Sequence, residues 1–350
     1  MKTIDTQDAV GLTLCHDITR IVPGEQRKVA FRRGHTVREE DIPALLDIGK
    51  KNLYVWEDKD EENVHEEDAA LYLAGLTFGE SPYVTVGEVF QGRIDVRANA
   101  HGLFCSDTKR LFALNRIPDV AIAARHNLSP VRPGDVLAGM RIIPLVTSRK
   151  NLEQARQVAE LDTEAVFRVL PYVKKRVAIV TTGSEVYEGR IPDGMGAAVR
   201  GYLARFELPH EEVSQSVVPD EAEFTTRAIL AAIEEGADLV IVTGGMSVDP
   251  DDRTPLAIRN TGAEVVTYGT PVLPGSMYMM AYLTRGDKET IILGVPGGLL
   301  HSRRSCMDLL LPRLFAGLRL GKEDFVRMSN GGLCFSCETC IYPNCGFGME

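Results

Sequence analysis

Residues 237–255 read ADLVIVTGGMSVDPDDRTP. Leu239, Val240, Ile241 and Val242 form an all-apolar run rich in β-branched side chains. Such a run marks a strand buried on both faces, as in a parallel sheet. Gly244 and Gly245 follow at once, where the chain leaves that strand. Two glycines permit a tight turn and close approach of a ligand to backbone N–H groups. Asp249, Asp251 and Asp252 then arrive together. A glycine turn followed by carboxylates suits a phosphate-bearing ligand held with Mg²⁺, because hard cations take carboxylate oxygens. An ordinary strand-to-helix loop with solvated acids satisfies the same pattern.

The same texture extends to both sides from about Val173. Residues 176–180 read as a strand, 195–206 have helical spacing, 213–218 are strand-like, and 221–235 form a helix closed by Gly236. A further strand lies near Val265 and Val266. Another, at 290–293, leads through Gly294, Val295, Pro296, Gly297 and Gly298 into a helix over 299–318. Repeated β-α units predict an α/β fold, a doubly wound and mostly parallel sheet with helices on both faces. Ligands of such sheets bind at the C-terminal ends of the strands. Three loops fall there: Thr181, Thr182, Gly183, Ser184 and Glu185; Thr243, Gly244, Gly245, Met246 and Ser247; and Val295, Pro296, Gly297 and Gly298. Together they can gather backbone N–H groups and helix N-termini around one anion.

The first half is less regular, and four regions are expected: an N-terminal α+β domain over 1–78, a β-rich domain over 79–172, the α/β domain over 173–322, and a cysteine-rich tail over 323–350. In the first, a helix starts near Glu40 with Pro43 in its first turn and ends at Gly49. Leu53, Tyr54, Val55 and Trp56 are strand-like, and the acidic run 57–68 reads as a solvated linker or helix face. In the second, short strands are expected at 84–86, 89–90, 94–96 and 142–146, the last limited by Pro144, and 131–138 reads as a turn entering a strand. His101 and His126 have no second ligand at metal spacing.

A net charge of −10 leaves no basic excess for a nucleic-acid or anionic-membrane surface. The N-terminus has no apolar core of a signal peptide, and no apolar run reaches membrane-spanning length, so a cytoplasmic location is expected. Of seven cysteines, Cys15, Cys105 and Cys306 are scattered. Cys334, Cys337, Cys340 and Cys345 are spaced C-x2-C-x2-C-x4-C, a set of thiolates sufficient for zinc or an iron–sulfur cluster. Free thiols and transient carriage of a metal or sulfur are the other readings. Gly331, Gly332, Gly346 and Gly348 around them suggest a mobile tail.

The three loops in this order resemble the molybdopterin-binding domain of molybdenum cofactor biosynthesis enzymes. Thr182, Gly183, Ser184 and Glu185 match a T-G-[DS]-E loop; Pro219, Asp220 and Glu221 match an acidic turn. Gly244, Gly245, Met246 and Ser247, with Asp252 and Thr254 beyond, match a G-G-[TV]-[SG] loop. Pro274 and Gly275 match a P-G segment, and Pro296 with Gly297 part of an L-P-G-N-P loop. The match covers about 173–320. The chain departs from the family at Asp193, Gly194 and Met195, where an asparagine is usual, and at Gly298 and Leu299, where asparagine-proline is usual. A D-G-Y-A motif of the long molybdenumtransferases is missing between Met1 and Pro171.

The resemblance implies that the glycine loops hold molybdopterin or its adenylate. It implies that Asp252 coordinates Mg²⁺ or positions molybdate, with Asp220 second, and that the reaction is hydrolysis of adenylated molybdopterin coupled to molybdate insertion. A non-catalytic carrier that serves a molybdoenzyme client is the alternative, and binding of another nucleotide a third. A homo-oligomer is also implied. Arg303 or Arg304, after the last loop, could reach a phosphate or remain solvated.

Overall fold

In the computed structural model, which describes residues 2–20, 28–55, 62–250 and 252–349, the apolar run at 239 is a central strand, and every one of its residues is buried. Six strands form its sheet: β1 (Lys175–Thr182), β2 (His210–Val218), β3 (Leu239–Thr243), β4 (Glu264–Tyr268), β5 (Met279–Arg285) and β6 (Lys288–Val295), in the order β2-β1-β3-β6-β5-β4. β1 pairs in parallel with β2 and β3, and β3 with β6. β5 alone is antiparallel, to both β6 and β4.

The helices are α1 (Gly194–Arg205), α2 (Ala222–Glu234), α3 (Thr254–Asn260) and α4 (Cys306–Phe315). Side chains alternate across a strand. Val177, Ile179, Leu239 and Ile241 therefore share one core with Val199 and Leu203 of α1 and Leu310 and Leu314 of α4. Ala178, Val180, Val240 and Val242 share the other with Ile229 and Ile233 of α2 and Ile258 of α3. Each fully buried aliphatic side chain contributes roughly 2 kcal/mol by removal from water. The doubly wound architecture follows from β-branched strands that can be covered on both faces.

Two elements differ from the sequence reading. β5 was not anticipated, because Met279, Met280, Ala281, Tyr282 and Leu283 carry no strand-like alternation. Gly286 and Asp287 close a two-residue hairpin in which Arg285 faces Lys288, and pairing with β6 imposes the strand. The helix expected over 299–318 is shorter. A separate 3₁₀ turn spans Gly297–Leu300, and α4 starts only after Ser305, whose Oγ accepts the Met307 N–H while the Asp308 carboxylate accepts the Ser305 N–H.

In the first half, Lys2–Asp5 pairs with Asn52–Val55, and Leu14, Ile18, Leu45 and Leu53 make a small core. The helix expected near Glu40 is a 3₁₀ turn, Glu39–Asp41, running into Ile42–Asp47. Trp56 and residues 57–61 of the acidic run lie outside the described residues, and Glu66, Glu67 and Asp68 at its end form the first turn of a helix. Helix Glu66–Phe78 buries Ala69, Leu73, Ala74 and Phe78 against Ile94, Val96, Ala138 and Met140. It thus packs with the sheet that follows residue 79, and the change of core falls between Val55 and Asn63 rather than at 78. Pro144 separates Val136–Ile142 from Val146–Ser148, so 142–146 is a break and not a strand.

The tail is held. Phe325, Met328 and Phe347 are buried in the core under α4. Leu273 donates to the Gly332 carbonyl and Cys334 to that of Leu273, each at 2.8 Å, and Tyr342 Oη donates to the Asp308 carbonyl at 3.1 Å. The expected mobility gives way because aromatic side chains between the glycines have an apolar surface to cover. Among the described residues no helix is long and apolar enough to cross a membrane.

Candidate functional site

The glycine loops occupy the C-terminal edge of the parallel strands. Thr181 and Thr182 end β1 buried, and Gly183, at φ 151°, turns the chain into the short helix Ser184–Tyr187. The Ser184 N–H donates to Asp220 Oδ2 at 2.9 Å, and the Asp220 N–H donates to Ser184 Oγ at 3.4 Å. The loops after β1 and β2 are thereby clasped. Glu185 is exposed; its carbonyl accepts the Arg190 N–H.

Gly244 follows β3 at φ 90°, where a Cβ would stand 2.5 Å from the Thr182 carbonyl oxygen. Only glycine allows the loops after β1 and β3 to approach that closely. The Gly245 carbonyl accepts the Thr254 N–H at 3.1 Å, and the Thr182 and Thr254 hydroxyls are 3.5 Å apart. Thr254 opens α3, so β1, β3 and α3 meet at this point. Met246 is buried in the α2–α3 core, and its carbonyl accepts from Tyr268 Oη at 3.1 Å. Its side chain fills the core, which leaves its backbone to face the loop. Ser247 is exposed, and its N–H donates to Asp252 Oδ2 at 2.5 Å. Asp249 is exposed, its carbonyl accepts the Asp252 N–H at 3.0 Å, and Asp251 lies outside the described residues.

After β6, Pro296 is half-buried and Gly297 and Gly298 are exposed; a Cβ at either glycine would meet no atom within 4 Å. This part of the edge is open. Because Met279 of β5 pairs with Gly294 of β6, the Pro274 and Gly275 segment comes to the same edge. There Gly275, at φ 113°, packs on α4; a Cβ would lie 3.1 Å from the Cys306 N. Its glycine is required by that packing.

Asp193 is a residue whose role the sequence reading missed. Its Oδ1 accepts the N–H groups of Met195 and Gly196 at 2.8 and 3.1 Å, and its Oδ2 accepts Thr181 Oγ1 and Gln215 Nε2 at 3.1 and 2.7 Å. It caps α1 and ties it to β1 and β2. An aspartate directly before a glycine at a helix start was the available signal. Arg303 and Arg304 do not point to the loops. Arg303 Nη1 donates to the carbonyls of Cys337 and Glu338 at 3.1 and 2.5 Å. Arg304 donates to Cys340 Sγ at 3.1 Å and to Asp308 Oδ1 at 2.7 Å. A cavity of about 230 Å³ lined by Arg125, Arg132, Arg205 and Arg304 includes none of the loop residues.

Among the described residues no group of three or more His, Cys, Asp or Glu side chains is placed to hold a metal ion. Asp252 and Asp220 stand on separate loops and each accepts a backbone N–H, so they do not form a Mg²⁺ cage. Cys334, Cys337, Cys340 and Cys345 all line one cavity but do not close on a point. At this edge two carboxylates each take up one loop amide, Asp220 that of Ser184 and Asp252 that of Ser247.

Residues 178–316 match the family described as "Probable molybdopterin binding domain", and residues 3–57 match "Domain of unknown function (DUF8806)". The matched residues lie within the α/β domain, from β1 to α4. The "Molybdenum cofactor biosynthesis bifunctional protein" of Synechococcus elongatus is 32% identical over 150 residues, 40% of this chain and 46% of that protein. The "Molybdopterin molybdenumtransferase" of Staphylococcus epidermidis is 27% identical over 161 residues, 43% of this chain and 35% of that protein. The chain thus spans less than half the length of these two relatives. Among solved structures, the tungsten cofactor synthesizing protein MoaB of Pyrococcus furiosus aligns with a TM-score of 0.35 at 18% identity, over 43% of this chain and 98% of that one.

Proposed function

We propose that the α/β domain binds molybdopterin or its adenylate at the C-terminal edge of its sheet, and that the protein acts in molybdenum cofactor assembly by inserting molybdate. The observation that carries this reading is the pair of braced carboxylates, Asp220 on Ser184 and Asp252 on Ser247, beside an edge open at Gly297 and Gly298. Amides of the glycine loops would take the phosphate. The second oxygens of Asp220 and Asp252 would face the reacting group. In an acidic protein the anion is recognised by dipoles rather than by side-chain cations.

A carrier role for a molybdoenzyme client is the second reading, and the engagement of both carboxylates in holding loops favours it. Incubation of the purified chain with adenylated molybdopterin, molybdate and Mg²⁺ distinguishes them. Insertion requires release of AMP and loss of turnover in Asp252→Ala. Tight binding with no AMP release supports the carrier. Full turnover in Asp252→Ala would remove Asp252 from the chemistry.

A further inference from the structure

The cavity of about 230 Å³ between the β-rich region, the α/β domain and the tail includes no residue of the glycine loops, and the proposed pterin binding does not use it. Four arginines line it, brought from separate segments. Arg125 follows strand Val120–Ala124, and Arg132 follows strand Ser129–Val131. Arg205 ends α1, and Arg304 precedes the Ser305 cap of α4. Tyr172, Phe206 and Tyr342 add aromatic walls. We propose that this cavity binds a small molecule bearing a phosphoryl dianion.

Charge sets the class of ligand. Asp135, which also lines the cavity, lies 3.5 Å from Arg125 Nη2. The buried Asp308 carboxylate is shared by Arg205 and Arg304, at 2.8 and 2.7 Å. Four guanidinium groups are thus faced by two carboxylates, which leaves two positive charges over in a protein whose net charge is −10. A phosphomonoester carries about −1.5 to −2 at neutral pH and matches that excess. The volume is below the roughly 300 Å³ of a pocket for a drug-sized ligand, so the molecule is a small one.

The donors are held before a ligand arrives. Arg125 Nε donates to the Val136 carbonyl at 2.6 Å, and its Nη1 donates to Asn344 Oδ1 at 2.9 Å. Arg132 Nη2 donates to the Arg205 carbonyl at 3.1 Å. Arg125, Arg205 and Arg304 keep 19, 31 and 14% of their side-chain surface exposed, so they lose little freedom on binding. Donors remain to be used. Nε and Nη1 of Arg132, Nε and Nη2 of Arg205 and Nη2 of Arg304 make no hydrogen bond to a protein group among the described residues. Planar guanidinium forks match the oxygens of a phosphoryl group. An anion held by them joins the β-rich region, the end of α1 and the tail.

The test is isothermal titration of the full chain with inorganic phosphate and with phenyl phosphate, at matched ionic strength in chloride. The expected result is saturable binding of one probe per chain. Affinity falls roughly tenfold or more in Arg132→Ala, an exposed side chain bonded only to the Arg205 carbonyl, while thermal unfolding is retained. Arg132→Lys, which keeps the charge without the fork, falls between the two. Arg319→Ala removes an exposed arginine paired with Glu289 outside the cavity and retains affinity. Tighter binding of phenyl phosphate identifies an organic phosphate as the ligand, and equal affinity identifies the free anion. Binding of neither probe would overturn the proposal, as would affinity unchanged in Arg132→Ala or lost equally in Arg319→Ala. Loss in Asp220→Ala with Arg132→Ala unaffected would also overturn it, by placing the phosphate on the glycine loops.

Discussion

Ser184 and Asp220 are bonded to each other twice, the Ser184 N–H reaching Asp220 Oδ2 at 2.9 Å and the Asp220 N–H reaching Ser184 Oγ at 3.4 Å. The two residues lie at the ends of neighbouring parallel strands. Their clasp sets where the first glycine loop presents its amides. Asp220→Ala leaves a partly buried N–H without its acceptor, a loss of about 1–3 kcal/mol. Pterin affinity is expected to fall roughly ten- to hundredfold, with a smaller effect in Asp220→Asn, which keeps an acceptor oxygen. Equilibrium titration of the three proteins checks this, and unchanged affinity in Asp220→Ala would remove the clasp from binding.

Gly244 and Gly262 separate two effects. Both have positive φ, 90° and 83°, but a Cβ at Gly244 would meet the Thr182 carbonyl at 2.5 Å whereas one at Gly262 would meet nothing within 4 Å. Gly262→Ala is expected to cost about 1 kcal/mol from backbone strain alone. Gly244→Ala should cost roughly 3 kcal/mol or more, because loop and strand must part. Denaturant unfolding of the two variants gives the difference directly.

Asp308 is fully buried at the first turn of α4, and its Oδ1 accepts from Arg205 at 2.8 Å and Arg304 at 2.7 Å. It joins α1 to α4 and to the segment that reaches the tail. Removing one partner of a buried charge network strands the others, so Asp308→Ala is expected to lose about 3–5 kcal/mol. A midpoint of urea unfolding close to that of the unmodified protein would contradict this.

Asp238 gives a pH signature. Burial pushes its carboxyl up, but the Arg176 N–H at 2.8 Å and the Lys288 ammonium at 2.9 Å outweigh burial and hold it below its ordinary value of 3.8. A carboxyl depressed on folding stabilises the protein above its unfolded value, and that stabilisation is lost as pH falls through the folded value. The stability gap between the unmodified protein and Asp238→Asn should therefore be full near neutral pH and close from about pH 4 downward. A gap that widens with acid would reverse the assignment of the carboxylate as the stabilising form.

Much of the α/β domain was legible because its signals are local. Leu239, Val240, Ile241 and Val242 could form only a doubly covered strand, and Gly244 marks where it ends. β5 was not legible, since its Met- and Ala-rich sequence becomes a strand only through the hairpin at Gly286 and Asp287. The same limit applies to Glu66–Phe78, whose partners Ile94 and Met140 lie far along the chain. At the site, glycine positions were readable from their spacing. The partners of Asp193 and the turning of Arg303 and Arg304 toward the tail were not, because each depends on contacts between segments that come together only in the fold.

Mass spectrometry of the small molecules released from the anaerobically purified full chain tests the central claim most directly. Molybdopterin or its adenylate should co-purify with the unmodified protein, close to one per chain, and be lost in Asp220→Ala. A chain that releases no pterin and is stabilised instead by ADP-ribose or FAD would contradict it.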